Sequence, residues 1–429
     1  MKIYSYKNLN KEEIRKLFTR PAQNNFKVEK QVRKILGEIK NYGHTAVLNY
    51  AKKFDGLQSD SIVISKKEIF EQSKRIDKKL KKAIDDAYSN IVAFHKPQLK
   101  SNYKVETLEG VVCERKYLPI ENVGLYIPGG SAVLFSTLLM LGIPAKLAGC
   151  KRIVVCSPIK NNFNPALAYA AKRIGVDEFY SVGGAHAIGM LAYGTELVKK
   201  VDKIFGPGNQ YVTLAKTFVS IDSSGCLIDM PAGPSEVMVI ADKFANPIYV
   251  SADLLSQAEH GTDSQVILLT NDIELAKNVD KEVQRQLKVL ERKNIAEQCL
   301  QNSSIVIVED IDQALTLSNE YAPEHLILNI KSYKKYVPKV KNAGSVFLGS
   351  YSPESVGDYA SGTNHSLPTY GYAKAISGVG VDSFMKSISF QTLTKKGIKN
   401  ISSTVIEMAE AEGLQAHANA VKVRIKNGN

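Results

Sequence analysis

Two residues with metal-binding side chains stand three positions apart in the segment LSQAEHG, residues 255–261. They are Gln257 and His260, and Gly261 follows directly. In a helix this spacing places both side chains on one face, and glycine is the usual residue just beyond a helix end. We predict a helix with its N-cap at Ser251 and with His260 in its last turn. The two side chains would suit a divalent cation, although an imidazole that caps its own helix is an alternative.

Two further segments carry polar residues that could complete such a site. Asp358 lies in the Gly/Ser/Tyr-rich segment at residues 352–373, and Glu412 and His417 lie near the C-terminus. We predict a long loop for the first segment, and its aromatic residues argue against disorder. The four side chains that could share one cation are Gln257, His260, Asp358 and His417. Such a mixed set of nitrogen and oxygen donors suits zinc or manganese, although Glu412 and His417 are equally compatible with polar surface.

An acid–base pair stands in the segment YAPEHLIL, residues 321–328. Glu324 precedes His325 directly before an apolar strand, and Pro323 ends the helix before them. Adjacent residues on a strand point to opposite sides, but at a turn both can reach one cavity. Histidine titrates near neutral pH and a carboxylate can activate water, so the pair could perform acid–base catalysis. A dipeptide of this kind is also compatible with a purely structural role.

Alternating strands and helices must position these residues. Residues 27–100 are predicted to be helical. Strands and helices then alternate with short glycine turns in two series that join near residues 232–237, a pattern typical of parallel sheets covered by helices. The second series includes a long polar helix around 273–300. We predict an α/β fold with two incomplete Rossmann-like parallel-sheet units, a helical N-terminal segment and a small C-terminal extension.

The predicted domain limits follow from this division of the chain. They are an N-terminal arm at 1–25, a discontinuous α/β domain at 26–120 plus 236–378, a Rossmann-like domain at 121–235, and a C-terminal extension for dimerisation at 379–429.

Glycine-rich turns follow several of the predicted strands. They are Gly129-Gly130, Gly183-Gly184, Gly206-Pro207-Gly208 and Ala232-Gly233-Pro234. Ligands of open α/β sheets bind outside the carboxyl ends of the strands, and such turns let backbone N–H groups approach a phosphate. None of them forms a complete G-x-G-x-x-G followed by an acidic residue, so the usual dinucleotide fingerprint is absent. Ordinary tight turns of an α/β fold are the alternative.

The composition favours a cytoplasmic protein of several domains. The chain has 429 residues, a formal net charge of +13 and five cysteines without a C-x-x-C pair. No segment approaches ~18 uninterrupted apolar residues and no signal peptide is evident, so we expect no membrane association. The scattered cysteines favour reduced thiols packed in apolar surroundings over a catalytic nucleophile. The lysines alternate with acids at helical spacing, which favours solvated helix faces over a nucleic-acid surface.

Several longer motifs resemble the histidinol dehydrogenase family, in the family's order. They are GLYIPGG, STLLMLGIPAKLAGC, FGPGNQYV, DMPAGPSEV, SADLLSQAEHG, YAPEHL, GDYASGTNHSLPTYGYA and EGLQAHANAV. The resemblance covers the chain from about residue 30 to 425. It implies the last step of histidine biosynthesis, in which L-histidinol is oxidised through L-histidinal to L-histidine with two NAD⁺ at one site.

The resemblance also implies the roles of individual residues. One zinc ion per subunit would be held by Gln257, His260, Asp358 and His417, and would act mainly to orient the substrate. His325 would be the general base, and Glu324 would activate the water that adds to the aldehyde. Besides these residues, Ser235 and Glu412 would frame the substrate. The family forms an intertwined homodimer, so His417 and Glu412 would enter the partner's site.

The resemblance places Tyr126, His186 and Asn209 at the NAD contacts. The family usually has glutamine at the position of His186, in the motif GGAHAI. Neutral imidazole can still donate or accept one hydrogen bond, so we expect NAD binding to survive with an altered affinity.

Two other functions compete with this interpretation. A zinc hydrolase could use Glu324 as its base, but it would need an open metal position for water and would leave the glycine turns without a role. A nucleic-acid-binding protein is supported only by the net charge. Production of NADH from L-histidinol and NAD⁺ distinguishes the three.

Overall fold

The computed structural model describes residues 1–20, 26–129, 133–159, 162–231 and 233–426, and these form an α/β fold with three sheets. The strands are β1 Lys2–Ser5, β2 Val63–Ile64, β3 Tyr103–Leu108, β4 Val111–Pro119, β5 Asn122–Tyr126, β6 Arg152–Cys156, β7 Glu178–Tyr180, β8 Lys203–Phe205, β9 Leu227–Ile228, β10 Glu236–Ala241, β11 Gln265–Thr270, β12 Ser304–Ile307, β13 His325–Asn329, β14 Ser345–Leu348 and β15 Met385–Leu393.

The helices cover both large sheets. They are α1 Lys11–Leu17, α2 Phe26–Tyr50, α3 Lys66–Ser73, α4 Lys78–His95, α5 Phe135–Ala148, α6 Pro165–Ile174, α7 Gly184–Tyr193, α8 Gln210–Ile221, α9 Pro247–Ala258, α10 Ile273–Leu287, α11 Lys293–Gln301, α12 Ile311–Tyr321, α13 Tyr333–Tyr336, α14 Glu354–Tyr359, α15 Lys395–Ala411 and α16 Gln415–Lys426. Within the described segments, no helix combines the length and the apolar character that a membrane crossing needs. The cellular compartment stays a prediction.

The first large sheet, called sheet I, has the strand order β2-β7-β6-β5-β8-β9. Its strands are parallel except for β2, which pairs antiparallel with β7. The chain runs outward from β5 to β7 and then returns to β8 on the other side of β5. The strand order therefore reverses between β5 and β8, which is the place where doubly wound sheets bind their ligands.

The second large sheet, called sheet II, has the order β1-β12-β11-β10-β13-β14 and is entirely parallel. Its central strands β10, β11 and β13 are buried at every residue, as expected for a sheet covered by helices on both faces. Its strand order reverses between β10 and β13. The two predicted parallel-sheet units are thereby confirmed.

The sheets divide the chain differently from the predicted domain limits in two segments, the arm and residues 26–120, and the limits themselves stay a prediction. Strand β1, in the predicted arm, pairs with β12 and so belongs to sheet II. Helix α2 was grouped with residues 236–378, but its apolar face packs on α7 and α8 of sheet I. Helix α4 likewise packs on α5, and β2 joins sheet I. A helix's periodicity marks its apolar face but does not specify which sheet that face will cover.

Two predicted elements also differ from the structure. The long helix expected around 273–300 is two helices, α10 and α11, separated by a turn. The C-terminal extension is more than a polar tail, because β15 pairs antiparallel with β4 over nine residues and forms a small sheet with β3. Helices α15 and α16 then pack on each other beyond this sheet.

Candidate active site

Helix α9 carries Gln257 into the protein interior. It begins at Pro247 after the N-cap Asn246 and ends at Ala258, so the predicted N-cap at Ser251 is wrong. Asn246 accepts a hydrogen bond from a backbone N–H of the first turn, whereas the Ser251 hydroxyl donates within the core. Gln257 is completely buried, and neither its side-chain oxygen nor its nitrogen has a hydrogen-bond partner among the described residues.

His260 lies just beyond the helix end rather than in its last turn. Its backbone N–H still bonds the carbonyl oxygen of Gln257, at 3.2 Å, while its side chain is exposed. Ligand atoms of His260, Glu354 and Asp358 all lie within 4.8 Å of one another. The structure therefore brings together two of the predicted ligands, His260 and Asp358, with a carboxylate that sequence reasoning missed.

Glu354 and Asp358 stand four residues apart on helix α14. The segment 352–373 was predicted as a loop, but its first part is this short helix. Both carboxylates belong to buried residues. Residues at i and i+4 share one helix face, so the acidic spacing in ESVGD was the signal that could have identified Glu354.

His325 lies at the start of β13 within a set of carboxylates. Its Nδ1 is 3.5 Å from Glu324 Oε2 and 3.8 Å from Glu354 Oε1, and its Nε2 is 3.5 Å from Asp358 Oδ1. Burial lowers the pKa of His325, but Glu354, Glu324 and Asp358 together outweigh burial and hold that pKa well above its usual value. The predicted pair of Glu324 and His325 thus lies beside two of the carboxylates in the candidate metal cluster, Glu354 and Asp358.

The carboxylates around His325 are electrostatically unequal. Burial raises the pKa of Glu354 to about 8, although His325 opposes this rise. Burial also acts against ionised Asp358, but hydrogen bonding and the charge of His325 lower its pKa overall. Buried carboxyl groups this close together repel each other when ionised, so the cluster favours a cation.

The predicted catalytic pair lies at the amino edge of sheet II, although we expected ligands at carboxyl edges. Ser235 immediately precedes β10, and Glu324 and His325 stand at the start of β13. Sheet II therefore departs from the expected rule. The reason is that the segment after β14 folds back over this edge and packs against α5, which follows β5 of sheet I. His365 makes this link, with Nδ1 2.8 Å from the Asp358 carbonyl oxygen and Nε2 3.2 Å from Thr137 Oγ1.

Tyr126 and Asn209 lie at the carboxyl edge of sheet I, on the two sides of the strand-order reversal. Tyr126 ends β5, and its hydroxyl accepts a hydrogen bond from the Gly184 N–H at 3.2 Å. Asn209 is the N-cap of α8. Gly206, which directly follows β8, lies against the end of β5. A Cβ on Gly206 would be 2.1 Å from the Tyr126 carbonyl oxygen. Of the other predicted glycine turns, Gly130 and Ala232 lie outside the described residues.

His186 lies in α7 beneath the Gly183-Gly184 turn. It is 2% exposed, and its Nε2 is 2.7 Å from Asp55 Oδ2. The same carboxylate oxygen accepts the Gly183 N–H at 2.9 Å. Asp55, which sequence reasoning missed, therefore joins His186 to the turn. The sequence carried no signal for this pairing, because the two residues are 131 positions apart.

Glu412 and His417 lie on the two C-terminal helices. Glu412 is the C-cap of α15 and His417 lies in α16, and both are exposed. Within the described ranges, the cluster of possible metal ligands does not include His417.

Comparison with known proteins identifies the family. The family model described as histidinol dehydrogenase matches residues 18–425. The chain belongs to the histidinol dehydrogenase family. It is 52% identical to a histidinol dehydrogenase of Bacteroides thetaiotaomicron and 50% identical to one of Vibrio parahaemolyticus, each over 99% of both chains. A crystal structure of histidinol dehydrogenase from Elizabethkingia anophelis is 52% identical, has a TM-score of 0.95, and is matched over 100% of this chain and 98% of that one.

Membership of the histidinol dehydrogenase family confirms the predicted enzyme class, an NAD-dependent oxidoreductase of histidine biosynthesis. It also confirms the predicted α/β architecture. The rival hydrolase and the nucleic-acid-binding protein find no support in these comparisons.

The cysteines fit this chemistry as packing residues. All five lie in described segments and are free thiols, and three of them, Cys150, Cys156 and Cys299, are buried. Burial raises the pKa of Cys150 to about 12 and that of Cys299 to about 11, so neither is a thiolate near neutral pH. Cys113 and Cys226 are partly exposed, but burial still raises the pKa of Cys226 to about 12.

Proposed function

We propose that this chain oxidises L-histidinol through L-histidinal to L-histidine at one site, with two NAD⁺ consumed and one zinc ion per subunit. The observation that carries the proposal is the convergence of one acid–base pair and a cation-binding cluster on the edge of sheet II that packs toward sheet I. Substrate would lie between them, with the nicotinamide approaching from the edge of sheet I.

The residues present fit a divalent metal ion. Gln257 offers a buried amide oxygen that has no hydrogen-bond partner in the described part of the chain, and His260 and Asp358 offer a nitrogen and an oxygen donor close to each other. These are donor types that zinc accepts. When bound, zinc would fix the imidazole and amino nitrogens of the substrate and so orient its alcohol carbon. Glu354 is a further carboxylate close enough to bind the same ion or to neutralise part of its charge.

His325 would act as the base in both oxidations once a cation beside Asp358 offsets the carboxylates that raise its pKa, because the neutral ring can then accept a proton. In the first, a ring nitrogen takes the alcohol proton while the carbon-bound hydrogen leaves as hydride to NAD⁺. In the second, His325 takes a proton from the hydrated aldehyde while a second hydride leaves. Its complete burial among Glu324, Glu354 and Asp358 keeps competing water away from the transferred proton.

Glu324 would prepare the water for the second oxidation. Its Oε2 accepts the backbone N–H of Glu236 at 2.9 Å, which fixes the carboxylate and leaves its other oxygen to accept a proton. As the water oxygen bonds to the aldehyde carbon, one water proton passes to Glu324, and the carbonyl oxygen takes up the proton that His325 accepted in the first oxidation. NADH formed separately from L-histidinol and from L-histidinal tests this role. Glu324→Gln should slow the aldehyde reaction ~10²–10⁴-fold, and the alcohol reaction far less. Equal losses in both reactions would make Glu324 a residue that only orients His325.

Tyr126, Asn209 and the segment around His186 would bind the cofactor. Tyr126 and Asn209 flank the reversal of strand order in sheet I, where dinucleotides bind in related architectures. His186 is buried against Asp55, so its effect on NAD⁺ would pass largely through the Gly183-Gly184 turn.

The active protein would be a homodimer in which Glu412 and His417 complete the partner's site. Helices α15 and α16 extend from a small sheet whose strand β3 is exposed at every residue, including apolar Tyr103, Val105 and Leu108. A second copy would cover this surface.

Mixed dimers test the shared site. His325→Ala and His417→Ala subunits should each be inactive alone. Unfolded and refolded together, they should recover about a quarter of the parental activity, because half of the dimers are mixed and each mixed dimer has one complete site. No recovery from a mixture that forms dimers would place His417 in the site of its own chain.

A further inference from the structure

Arg20, in the N-terminal arm, reaches a buried carboxylate next to the active site. Its Nε donates to Glu236 Oε2 at 2.5 Å and its Nη2 to Glu236 Oε1 at 3.0 Å. This is the paired geometry in which guanidinium binds carboxylate most strongly. The guanidinium also stacks on the Tyr321 ring, at 3.7 Å from its centroid, and donates to the Tyr321 carbonyl oxygen at 2.8 Å.

Glu236 connects this arginine to three segments of the site. It is 2% exposed. Its carboxylate accepts the Tyr321 hydroxyl at 2.7 Å and the Tyr370 N–H at 3.1 Å. Its backbone N–H holds Glu324 Oε2. One charged group thus fixes the start of β10, the turn between α12 and β13, and the end of the segment 352–373.

The backbone on both sides of this network is in an unusual conformation. Ala322, directly before Pro323 and Glu324, has φ 53°, and Tyr370 has φ 56°. Residues other than glycine adopt this left-handed region at an energetic cost, and only where the surroundings hold them there. Arg20 and Glu236 supply such contacts, because they bond the backbone at Tyr321 and Tyr370.

We propose that Arg20 is a positioning residue for Glu324. This inference rests on the proposed role of Glu324 in activating water. Arg20 contacts neither substrate nor cofactor, and acts by neutralising Glu236. Without Arg20, Glu236 would be a buried charge without its counter-ion, and such a charge takes up a proton or moves toward water. Either change disturbs the N–H that holds Glu324 and the turn that leads into it.

The test compares the two oxidations in Arg20→Met. Misplacing a reacting group by about 1 Å costs up to ~10²-fold, so the aldehyde reaction should fall by about 10–100-fold more than the alcohol reaction. Zinc content and the KM for NAD⁺ should stay near the parental values. Arg20→Lys keeps the charge but not the paired geometry and should give an intermediate loss. It also keeps the test open if Arg20→Met does not fold.

A second substitution distinguishes positioning from a general loss of stability. Glu236→Gln removes the unpaired charge. Its amide oxygen can accept the Tyr370 N–H, and its amide nitrogen can donate to the Tyr321 hydroxyl, which then donates to Gln265 Oε1. The double variant Arg20→Met/Glu236→Gln should therefore recover most of the aldehyde reaction. Arg285→Met is the matched control, because Arg285 forms an ion pair with Glu282 while its own side chain is 66% exposed. Its ratio of the two reactions should equal the parental ratio.

Three results separate the possible failures. If Arg20→Met and Arg20→Lys lower the melting temperature but slow both oxidations in the same proportion, Arg20 has only a structural role and the inference is overturned. If Glu324→Gln itself slows both oxidations equally, the proposed role of Glu324 fails first. If Glu324→Gln loses mainly the aldehyde reaction but the Arg20 variants do not, only the inference about Arg20 is overturned.

Discussion

Replacing Gly206 with alanine tests whether the cofactor edge of sheet I depends on a close backbone approach. Gly206 has φ +125°, a conformation that side-chain-bearing residues rarely adopt, and its Cβ would lie 2.1 Å from the Tyr126 carbonyl oxygen. The glycine cannot easily shift. Its N–H donates to Asp229 Oδ2 at 2.8 Å, and its carbonyl accepts from Lys216 Nζ at 2.8 Å. Lys216 and Asp229 form an ion pair in which each side chain is 3% exposed.

The expected cost has two parts. An alanine forced into this backbone region costs about 1–3 kcal/mol, and the contact with the Tyr126 carbonyl adds about 1–3 kcal/mol of overpacking. We expect Gly206→Ala to lower the free energy of unfolding by roughly 2–6 kcal/mol. Urea unfolding followed by circular dichroism measures this. Because Gly206 lies between Tyr126 and Asn209, the KM for NAD⁺ should rise by about tenfold or more, with a smaller effect on the KM for L-histidinol.

Two other glycines provide matched controls. Gly37 lies inside α2 with nothing within 4 Å of an added Cβ, so Gly37→Ala should stabilise the protein by about 0.5–1 kcal/mol. Gly56 has φ +73° but also open space, so Gly56→Ala isolates the backbone cost, about 1–2 kcal/mol. If Gly206→Ala is no less stable than Gly56→Ala, the close approach to Tyr126 carries no weight and this reasoning is refuted.

Three further predictions concern the metal, the cofactor and pH. His260→Asn should lose zinc and activity together while the fold persists, and Glu259→Gln should keep both; a His260→Asn protein with full zinc, measured by atomic absorption, would remove His260 from the ligand set. His186→Gln should change the KM for NAD⁺ and leave that for L-histidinol nearly unaltered, and steady-state kinetics showing the reverse would place His186 on the substrate side. Burial raises the pKa of the Asp253 carboxyl from its ordinary value of 3.8 to about 7. Its protonated form is therefore favoured by folding, and stability falls as pH rises through about 7. At about pH 8 the free energy of unfolding of Asp253→Asn should exceed that of the parent by up to about 4 kcal/mol. Near pH 5 the difference should be smaller. An equal difference at both pH values would contradict this.

Much of the site's chemistry could be predicted from local sequence. The spacing of Gln257 and His260, the pair at Glu324 and His325, and the alternation of apolar strands with amphipathic helices are short-range patterns. They reflect the period of each element and the residues that end it. Two predictions were wrong because they also relied on short-range patterns alone. The N-cap at Ser251 was misplaced because Asn246-Pro247 offers an earlier start, and the segment 352–373 hid the helix that aligns Glu354 with Asp358.

The tertiary structure alone decided which segments meet. Arg20 reaches Glu236 across 216 positions, and Asp55 reaches His186 across 131. The local sequence around Arg20 or Asp55 does not indicate which residue it will contact. The same holds for α2, whose apolar face would suit either large sheet but packs on sheet I. The sequence by itself thus determined the elements and the types of side chain proposed for catalysis, because these depend on residues a few positions apart. The amino-edge position of His325 and the carboxylates around it were decided by packing between distant segments, which local periodicity does not encode.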